Sequence, residues 1–268
     1  MKHPRQKRLP LALTIAGSDS GGGAGIQADL KTFAANGVHG TSAITCVTAQ
    51  NPRGVTGIEA ISAGMVRKQI EAVFAELRPD AVKTGMLFST EIIREVARFF
   101  AHGKRPPLVV DPVMVATSGA VLLKPSAIRA LKEELLPLAA VVTPNLDEAE
   151  ILIGRKLRSV AVLPNAAREI HARFGCAVLV KGGHLRDGPN AVDVLFDGKK
   201  VRVYSSRRVD GVSTHGTGCT YSAAIAAGLA AGKSLADSVA AAKRFITQAI
   251  AGSYRIRRHF ALHHGAKC

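Results

Sequence analysis

The sequence predicts an α/β fold with a mostly parallel central sheet that is covered by helices on both faces. Hydrophobic residues make up 47% of the 268 residues, which allows a substantial core. Apolar, β-branched runs recur along the chain, and turn residues and then a helical pattern follow each of them. Strands of near-continuous apolar character are typical of parallel sheets with both faces covered. The runs are Leu11–Ala16, Ser42–Thr48, Ala81–Thr84, Leu108–Val110, Ala140–Thr143 and Ala177–Val180.

Amphipathic stretches between these runs predict the helices. They are Ile26–Asn36, Ala63–Leu77, Ser89–Ala101, Pro125–Leu136, Asp147–Ile153 and Ala166–Phe174. Two further runs, Asp193–Phe196 and Val201–Ser205, are separated by a short turn sequence that contains Gly198, which favours a hairpin at the sheet edge. The last third of the chain ends in two Ala-rich helices, Cys219–Ala231 and Leu235–Ile250.

No internal repeat or long linker divides the sequence, so we expect a single domain over residues 1–268. Residues 1–9 are expected to form a basic N-terminal tail, and the basic residues 255–268 a flexible C-terminal tail. In an open α/β sheet, ligands bind beyond the carboxyl ends of the strands. Most of the unusual residue clusters of this chain follow a predicted strand, which places a site at that edge.

Cysteine usage and hydropathy favour a cytoplasmic protein without membrane contact. The four cysteines form no CxxC pair and have no histidine at metal-ligand spacing, which favours a reducing compartment without structural zinc. No apolar stretch approaches the roughly 18 residues of a membrane span. The basic Met1–Arg8 and the apolar Leu9–Gly17 mimic a secretory signal, but cleavage there would remove the first strand.

The formal net charge of +16 raises the alternative of a nucleic-acid or other non-catalytic binding module. The basic residues cluster in the tails and in predicted loops, and the chain has no Trp and three Tyr, which makes a base-stacking platform a poor expectation. A basic surface also attracts anionic metabolites such as nucleotides. We therefore expect a small-molecule substrate and no nucleic acid.

Two glycine motifs are misleading. Residues Gly23–Ala28 fit the relaxed dinucleotide pattern GxGxxA, but the next predicted strand ends without the carboxylate that would hold a ribose. Residues Gly228–Ser234 resemble a phosphate-binding loop that is one residue short and that follows a helix. A glycine that ends one helix before the next begins explains the second motif better.

The segment Thr214–Thr220, with glycines at 216 and 218, leads into an Ala-rich helix and has the features of an anion site. Glycines let successive backbone amides converge, and the helix N-terminus adds the positive end of its dipole. This arrangement suits the charge that develops during phosphoryl transfer. The alternative is a glycine-rich helix entry without a ligand.

Cys219 lies in the first turn of that helix, where the dipole is expected to lower the pKa of its thiol. A thiolate at this position would act as a base toward a substrate hydroxyl or would contact the substrate. A buried and inert cysteine is the alternative.

Together these motifs make the chain resemble a hydroxymethylpyrimidine/phosphomethylpyrimidine kinase of thiamine biosynthesis, within the ribokinase-like superfamily. The similarity runs from Leu13 to about Ile250. It rests on Thr14–Asp19, Gly22–Lys31, Thr48–Asn51, Gly85–Leu87, Asp111–Met114, Thr143–Asn145, Lys181–His184 and Thr214–Thr220. The resemblance implies a single-domain three-layer sandwich. Most of the superfamily carries an Asp at the position of Cys219, whereas these kinases and a related group of pyridoxal kinases carry Cys.

The resemblance also implies which residues bind the substrate, 4-amino-5-hydroxymethyl-2-methylpyrimidine. Gln50 would pair with the ring nitrogen and the amino group, since an amide offers a donor and an acceptor in one plane. Asp29 would accept from the ring or hold neighbouring groups. The remaining substrate contacts implied are Gly17, Met86, Val113 and Cys219, with Met86 supplying a soft apolar face.

On the nucleotide side, the resemblance implies ATP as the phosphoryl donor and Mg²⁺ near Asp111 and Glu148. Asn145, Lys181, Thr214 and Thr217 would contact the nucleotide. The catalytic set would be Cys219, Gly216, Gly218 and Lys181. The structural alternative for Asn145 is that it only caps a helix, which is compatible with a metal site at Glu148. The structural alternative for Lys181 is a solvent-exposed surface lysine.

The resemblance further implies that Met114–Gly119 is a flap that closes over the substrate and excludes water. It implies two successive phosphorylations, of the pyrimidine alcohol and then of its monophosphate, by a homodimeric enzyme. The nearest alternative is a pyridoxal kinase with the same sheet, turn and cysteine.

Overall fold

The computed structural model describes residues 8–114, 123–183, 185, 188–212 and 215–265. Within this part of the chain, nine strands form one sheet in the order β3-β2-β1-β4-β5-β6-β7-β8-β9. The strands are β1 (Leu11–Asp19), β2 (His39–Asn51), β3 (Gly54–Ala60), β4 (Ala81–Thr84), β5 (Leu108–Val110), β6 (Val141–Val142), β7 (Ala177–Lys181), β8 (Asn190–Phe196) and β9 (Val201–Arg207).

The centre of the sheet is parallel and its two edges are antiparallel. Strands β1, β2, β4, β5, β6 and β7 pair in parallel, whereas β3 pairs antiparallel with β2. The hairpin predicted at the sheet edge is present as β8 and β9. The mostly parallel sheet is therefore confirmed, and β3 is a strand that the sequence did not indicate because its residues are largely exposed.

Helices cover both faces of this sheet. They are α1 (Gly25–Ala35), α2 (Ala63–Glu76), α3 (Thr90–Ala101), α4 (Pro125–Ala130), α5 (Leu146–Ile153), α6 (Leu163–Phe174), α7 (Thr217–Ala230) and α8 (Leu235–Ala251). Neighbouring strand residues alternate between two cores, so that Val82 and Val110 pack with α2 to α6. Ala81 and Val109 pack instead with α1, α7 and α8. Alternation along each strand explains why the strands are apolar throughout.

The junction between α7 and α8 accounts for the misleading Gly228–Ser234 motif. A Cβ at Gly228 would lie 2.8 Å from Ser238 Cβ, so the glycine lets the two helices pack closely. Gly232 has a φ of +78° and turns the chain between them. The helix-end interpretation is confirmed.

The helical stretch predicted over Pro125–Leu136 is present, but it changes from α4 to a π-helical turn at Leu131–Leu135 and a 3₁₀ turn at Leu136–Leu138, where Pro137 lacks the amide that an α-helix needs. The C-terminal tail differs from the flexible segment that we expected. The C-terminal tail forms a hairpin of β10 (Tyr254–Ile256) and β11 (His259–Ala261). Basic residues at the turn hide this hairpin in the sequence, and the buried Leu262 after it docks on α7 and α8.

Among the described residues, no helix has the length and apolar character that crossing a membrane requires. The predicted flap lies outside the described residues from position 115 onward, and so does Thr214.

Candidate active site

A cavity of about 530 Å³ opens at the carboxyl ends of the parallel strands. Most of the site residues expected from the sequence meet there, although they come from segments far apart in the chain. The predicted residues that line it are Gly17, Gln50, Met86, Asp111, Val113, Asn145, Glu148, Lys181, Gly216, Thr217, Gly218 and Cys219.

Asp29 is the exception, because it is fully buried beneath the site. Its carboxylate accepts hydrogen bonds from Thr14 Oγ1 at 2.6 Å and from Lys83 Nζ at 2.8 Å. A side chain that is 0% exposed and already bonded to two partners is not free to meet a substrate ring. The expected contact of Asp29 with the ring is therefore wrong, while its expected role of holding neighbouring groups describes what it does.

Lys83, which sequence reasoning missed, borders the cavity and is the counterion of Asp29. Burial opposes the charge of its ammonium, but the adjacent Asp29 carboxylate outweighs burial and raises the pKa of Lys83. The residue therefore remains a cation. A lysine within the otherwise apolar strand β4 was the available signal in the sequence.

The turn before α7 is built around Gly216, the N-cap residue of the helix, which has a φ of +81°. A Cβ at this position would lie 1.8 Å from the carbonyl oxygen of Gly23, so the turn packs directly on the glycine loop between β1 and α1. Thr217, Gly218 and Cys219 form the first helical turn, whose amides lack intrahelical acceptors and favour an anion.

The side chain of Cys219 does not behave as the helix position suggested. Burial raises the pKa of its thiol to about 11, although the nearby Lys83 ammonium acts in the opposite direction. Loss of solvation therefore outweighs the attraction of that ammonium for a thiolate. The expectation of a lowered pKa is wrong, and Cys219 is a thiol at neutral pH.

Asp19 joins the glycine loop to the turn before α7, and sequence reasoning did not assign it this role. Its carboxylate accepts hydrogen bonds from the amides of Gly21 at 2.8 Å, Gly23 at 3.0 Å and Ala24 at 2.8 Å. His215 Nε2 lies 3.3 Å from the same carboxylate. Burial opposes ionisation of Asp19, but these hydrogen bonds outweigh it and lower its pKa. An Asp before a glycine run was the signal that pointed to such a turn.

The opposite side of the cavity carries a buried cluster of opposite charges. Lys181 Nζ lies 3.0 Å from Asp111 Oδ1, and Thr143 Oγ1 donates to the same oxygen at 3.2 Å. The hydroxyl of Ser222 lies 3.2 Å from Asp111 Oδ2. Asp111 is 3% exposed, so its carboxylate bonds to neighbouring residues of the site and hardly to bulk solvent. Lys181 is thus a partly buried site residue, and the alternative of an exposed surface lysine is wrong.

Asn145 and Glu148 form a capping box at the start of α5. Asn145 Oδ1 accepts from the Glu148 amide at 2.9 Å, and Glu148 Oε2 accepts from the Asn145 amide at 2.8 Å. Burial raises the pKa of Glu148 to about 8, and the Asp111 carboxylate adds to this effect, whereas Lys181 opposes it. The capping alternative is confirmed, and a hydrogen bond from the backbone of Met114 also favours the ionised form of Glu148.

The donor chemistry of this side fits Mg²⁺. The carboxyl groups of Asp111 and Glu148 offer hard oxygen ligands, and both residues line the same cavity. A cation bound beside Glu148 would favour its ionised form. Within the described ranges, no group of three or more His, Cys, Asp or Glu residues could hold a metal ion by itself. Mg²⁺ usually takes one or two protein carboxylates and completes its shell with water and phosphate oxygens.

The residues that line the same cavity near α8 and the end of β9 include Ile246, Ile250 and Val212, which are apolar. Thr247 and Ser206 line it as well and carry hydroxyl groups. An apolar wall with a few polar atoms suits a nucleotide base.

Comparison with known proteins agrees with this geometry. The family model for phosphomethylpyrimidine kinase matches residues 19–264. A hydroxymethylpyrimidine/phosphomethylpyrimidine kinase of Rhizobium meliloti is 54% identical over 248 residues, which cover 92% of each chain. A thiamine biosynthesis bifunctional protein of Geobacter sulfurreducens is 50% identical over 89% of this chain and 48% of its own length.

Among solved structures, the ADP complex of a Bacillus subtilis pyridoxal kinase has a TM-score of 0.88 and 40% identity, and the match covers 97% of this chain and 98% of that one. The ribokinase-like fold and the ordered strand-end residues thus agree with the matched family over most of the chain. The chain belongs to the phosphomethylpyrimidine kinase family, and it is a kinase.

Proposed function

We propose that the chain uses ATP to phosphorylate the hydroxymethyl group of 4-amino-5-hydroxymethyl-2-methylpyrimidine, and then phosphorylates the resulting monophosphate to the diphosphate. One observation carries this proposal: a single cavity is lined both by Gln50 and Met86 and by the glycine turn at Gly216. The names of the relatives supply the substrate class and its place in thiamine biosynthesis.

The pyrimidine is expected to lie against Met86 and Val113, with its polar edge toward Gln50. The Thr48 hydroxyl, which lies 2.8 Å from the carbonyl oxygen of Ser18, is also 3.1 Å from the side-chain amide of Gln50 and restricts its orientation. Gly17 contributes by its lack of a side chain, because a Cβ there would lie 2.7 Å from Cys46 Sγ and 3.0 Å from Met86 Cε. A larger residue at position 17 would displace Met86 from the ring pocket.

The turn amides of Thr217, Gly218 and Cys219 would hold the phosphoryl group as it moves, together with the ammonium of Lys181. Mg²⁺, held by Asp111 and Glu148, would supply positive charge at the phosphate oxygens. Because the transition state of phosphoryl transfer is loose, positioning and charge contribute more than removal of the alcohol proton. Cys219, as a thiol, would orient the attacking hydroxyl.

Pyridoxal is the second candidate substrate. The reason is the similarity of the whole fold to a pyridoxal kinase, whose substrate is likewise a flat ring with a hydroxymethyl group. The same pocket at Gln50 and Met86 would receive that ring. The two substrates differ in the exocyclic group that would face Gln50. In the pyrimidine this group is an amino group.

The deciding experiment is an ATP-dependent assay with the pyrimidine alcohol, its monophosphate and pyridoxal in parallel. We expect turnover of both pyrimidines and a lower kcat/KM for pyridoxal. Gln50→Leu should raise the KM for the pyrimidines more than it lowers kcat, because the amide binds the ring and not the phosphoryl group. Absence of turnover with either pyrimidine contradicts the proposal, and faster turnover of pyridoxal promotes the second candidate.

We also propose a cytoplasmic homodimer that does not bind nucleic acid. Cys46, Cys176 and Cys219 are free thiols in the structure, which suits a reducing compartment. Analytical ultracentrifugation tests the dimer. Strongly salt-dependent binding to DNA or RNA would contradict the exclusion of nucleic acid.

A further inference from the structure

The C-terminal segment 254–265 returns to the helices that form the active site. Its hairpin pairs Arg255 with Phe260, and Leu262, which is 4% exposed, then packs in the core of α7 and α8. The amide of His263 donates to the carbonyl oxygen of Ala249 at 3.0 Å, which anchors the segment on the end of α8. These contacts bring His264 to the start of α7.

The ring of His264 meets the residue that directly follows Cys219. His264 Nε2 lies 3.0 Å from Thr220 Oγ1, and Thr220 is 0% exposed. The amide of Thr220 donates to the carbonyl oxygen of Gly216 at 2.9 Å, which closes the first turn of the helix. Thr220 does not line the main cavity, so His264 reaches the anion-binding turn from outside the site.

The same segment lies beside α1, whose Lys31 holds the glycine loop. Lys31 Nζ donates to the carbonyl oxygen of Gly22 at 2.8 Å, and Lys31 and His264 line a second, shallow cavity together. The next residue of that loop, Gly23, touches Gly216. The C-terminal segment therefore lies behind both loops that face the site.

We propose that His264 is a positioning residue for phosphoryl transfer, whose hydrogen bond to Thr220 holds the amides of the Gly216–Cys219 turn in place. The inference rests on the proposed function, since those amides receive the phosphoryl group. Burial, together with the nearby Lys31 ammonium, lowers the pKa of His264 to about 4, so the ring is neutral and keeps this contact at physiological pH. This role of His264 requires no contact with the substrate.

The test compares His264→Ala, Thr220→Val and the double variant in steady-state kinetics. Each single change removes the same hydrogen bond, so we expect kcat to fall about tenfold in each and no further in the double variant. The KM for the pyrimidine should change less than about twofold, because the ring pocket is untouched. His264→Gln should recover part of kcat, and His259→Ala, in the same hairpin, should leave it unchanged.

A readout without turnover separates this inference from the proposed function. In hydrogen exchange, the amides of residues 217–221 should exchange faster in His264→Ala than in the wild type, while those of α6 should not. A wild type without kinase activity would refute the proposed function and leave this measurement valid. The inference would be overturned by an unchanged rate of hydrogen exchange at residues 217–221 in His264→Ala. It would also be overturned if the effects of the two single variants on kcat add in the double variant. If His264→Ala does not fold, Thr220→Val, which removes the same hydrogen bond, is measured in its place.

Discussion

The ammonium of Lys83 lies 2.8 Å from the carboxylate of Asp29, and neither side chain has any exposure to solvent. The pair connects β4 to α1, and Thr14 of β1 adds a third contact. Three elements of the site are thus joined by one buried ion pair beneath the ring pocket. Its role is to hold these elements together and to place a positive charge near Cys219.

Removal of one member of this pair should destabilise the fold. Asp29→Leu leaves the Lys83 charge buried without a partner, and we expect the free energy of unfolding to fall by about 3–5 kcal/mol. The double variant Asp29→Leu/Lys83→Met should recover most of that loss, since it removes both charges. Urea denaturation measures the free energy of unfolding of the single and the double variant. Unchanged stability with a raised KM for the pyrimidine would restore Asp29 as a substrate contact.

Gly216 should tolerate no side chain, and Gly232 provides a matched control. Both have left-handed backbone geometry, with φ of +81° and +78°, but an added Cβ meets the Gly23 carbonyl only at position 216. Gly232→Ala should cost about 1 kcal/mol of stability and spare activity. Gly216→Ala should lower kcat/KM by about 100-fold or more, because it displaces the turn. Equal effects of the two changes in the kinase assay would contradict the contact between the loops.

The raised pKa of Cys219 predicts a slow, pH-dependent reaction with iodoacetamide. Because only the thiolate reacts and the pKa is about 11, the rate of alkylation at Cys219 should rise about tenfold per pH unit between pH 7 and 9. Peptide mass spectrometry identifies the modified residue and separates it from Cys46 and Cys176. A plateau of the rate near pH 7 would show a thiolate and would favour Cys219 as the base.

Glu148→Gln should separate the metal role of this residue from its capping role. Glutamine can still accept from the Asn145 amide, so the capping box and the melting temperature should be kept. The loss of a carboxylate should raise the Mg²⁺ concentration needed for half-maximal rate by about tenfold. Asp147→Asn, in the same helical turn, is the control. An unchanged Mg²⁺ requirement in Glu148→Gln would exclude Glu148 from the metal site.

The periodicity of the sequence predicted the parallel centre of the fold well. Strand β4 and strand β5 have the predicted bounds, because apolar runs buried on both faces leave a clear pattern. The edge strand β3 and the C-terminal hairpin were missed, since exposed strands carry mixed residues with no strong alternation. The apolar spacing predicted the helical stretch from Pro125 to Leu136, but it did not indicate the change from α-helix to a π-helical turn and then a 3₁₀ turn.

The sequence by itself determined the family, the order of the strand-end motifs and therefore the edge of the sheet at which the site lies. The tertiary structure decided what each titratable group does there. Asp29 became a buried counterion because Lys83 folds against it, and the pKa of Cys219 is raised because burial outweighs the nearby Lys83 ammonium. These outcomes depend on solvation and on partners distant in the chain, and neither can be read from a local pattern of residues.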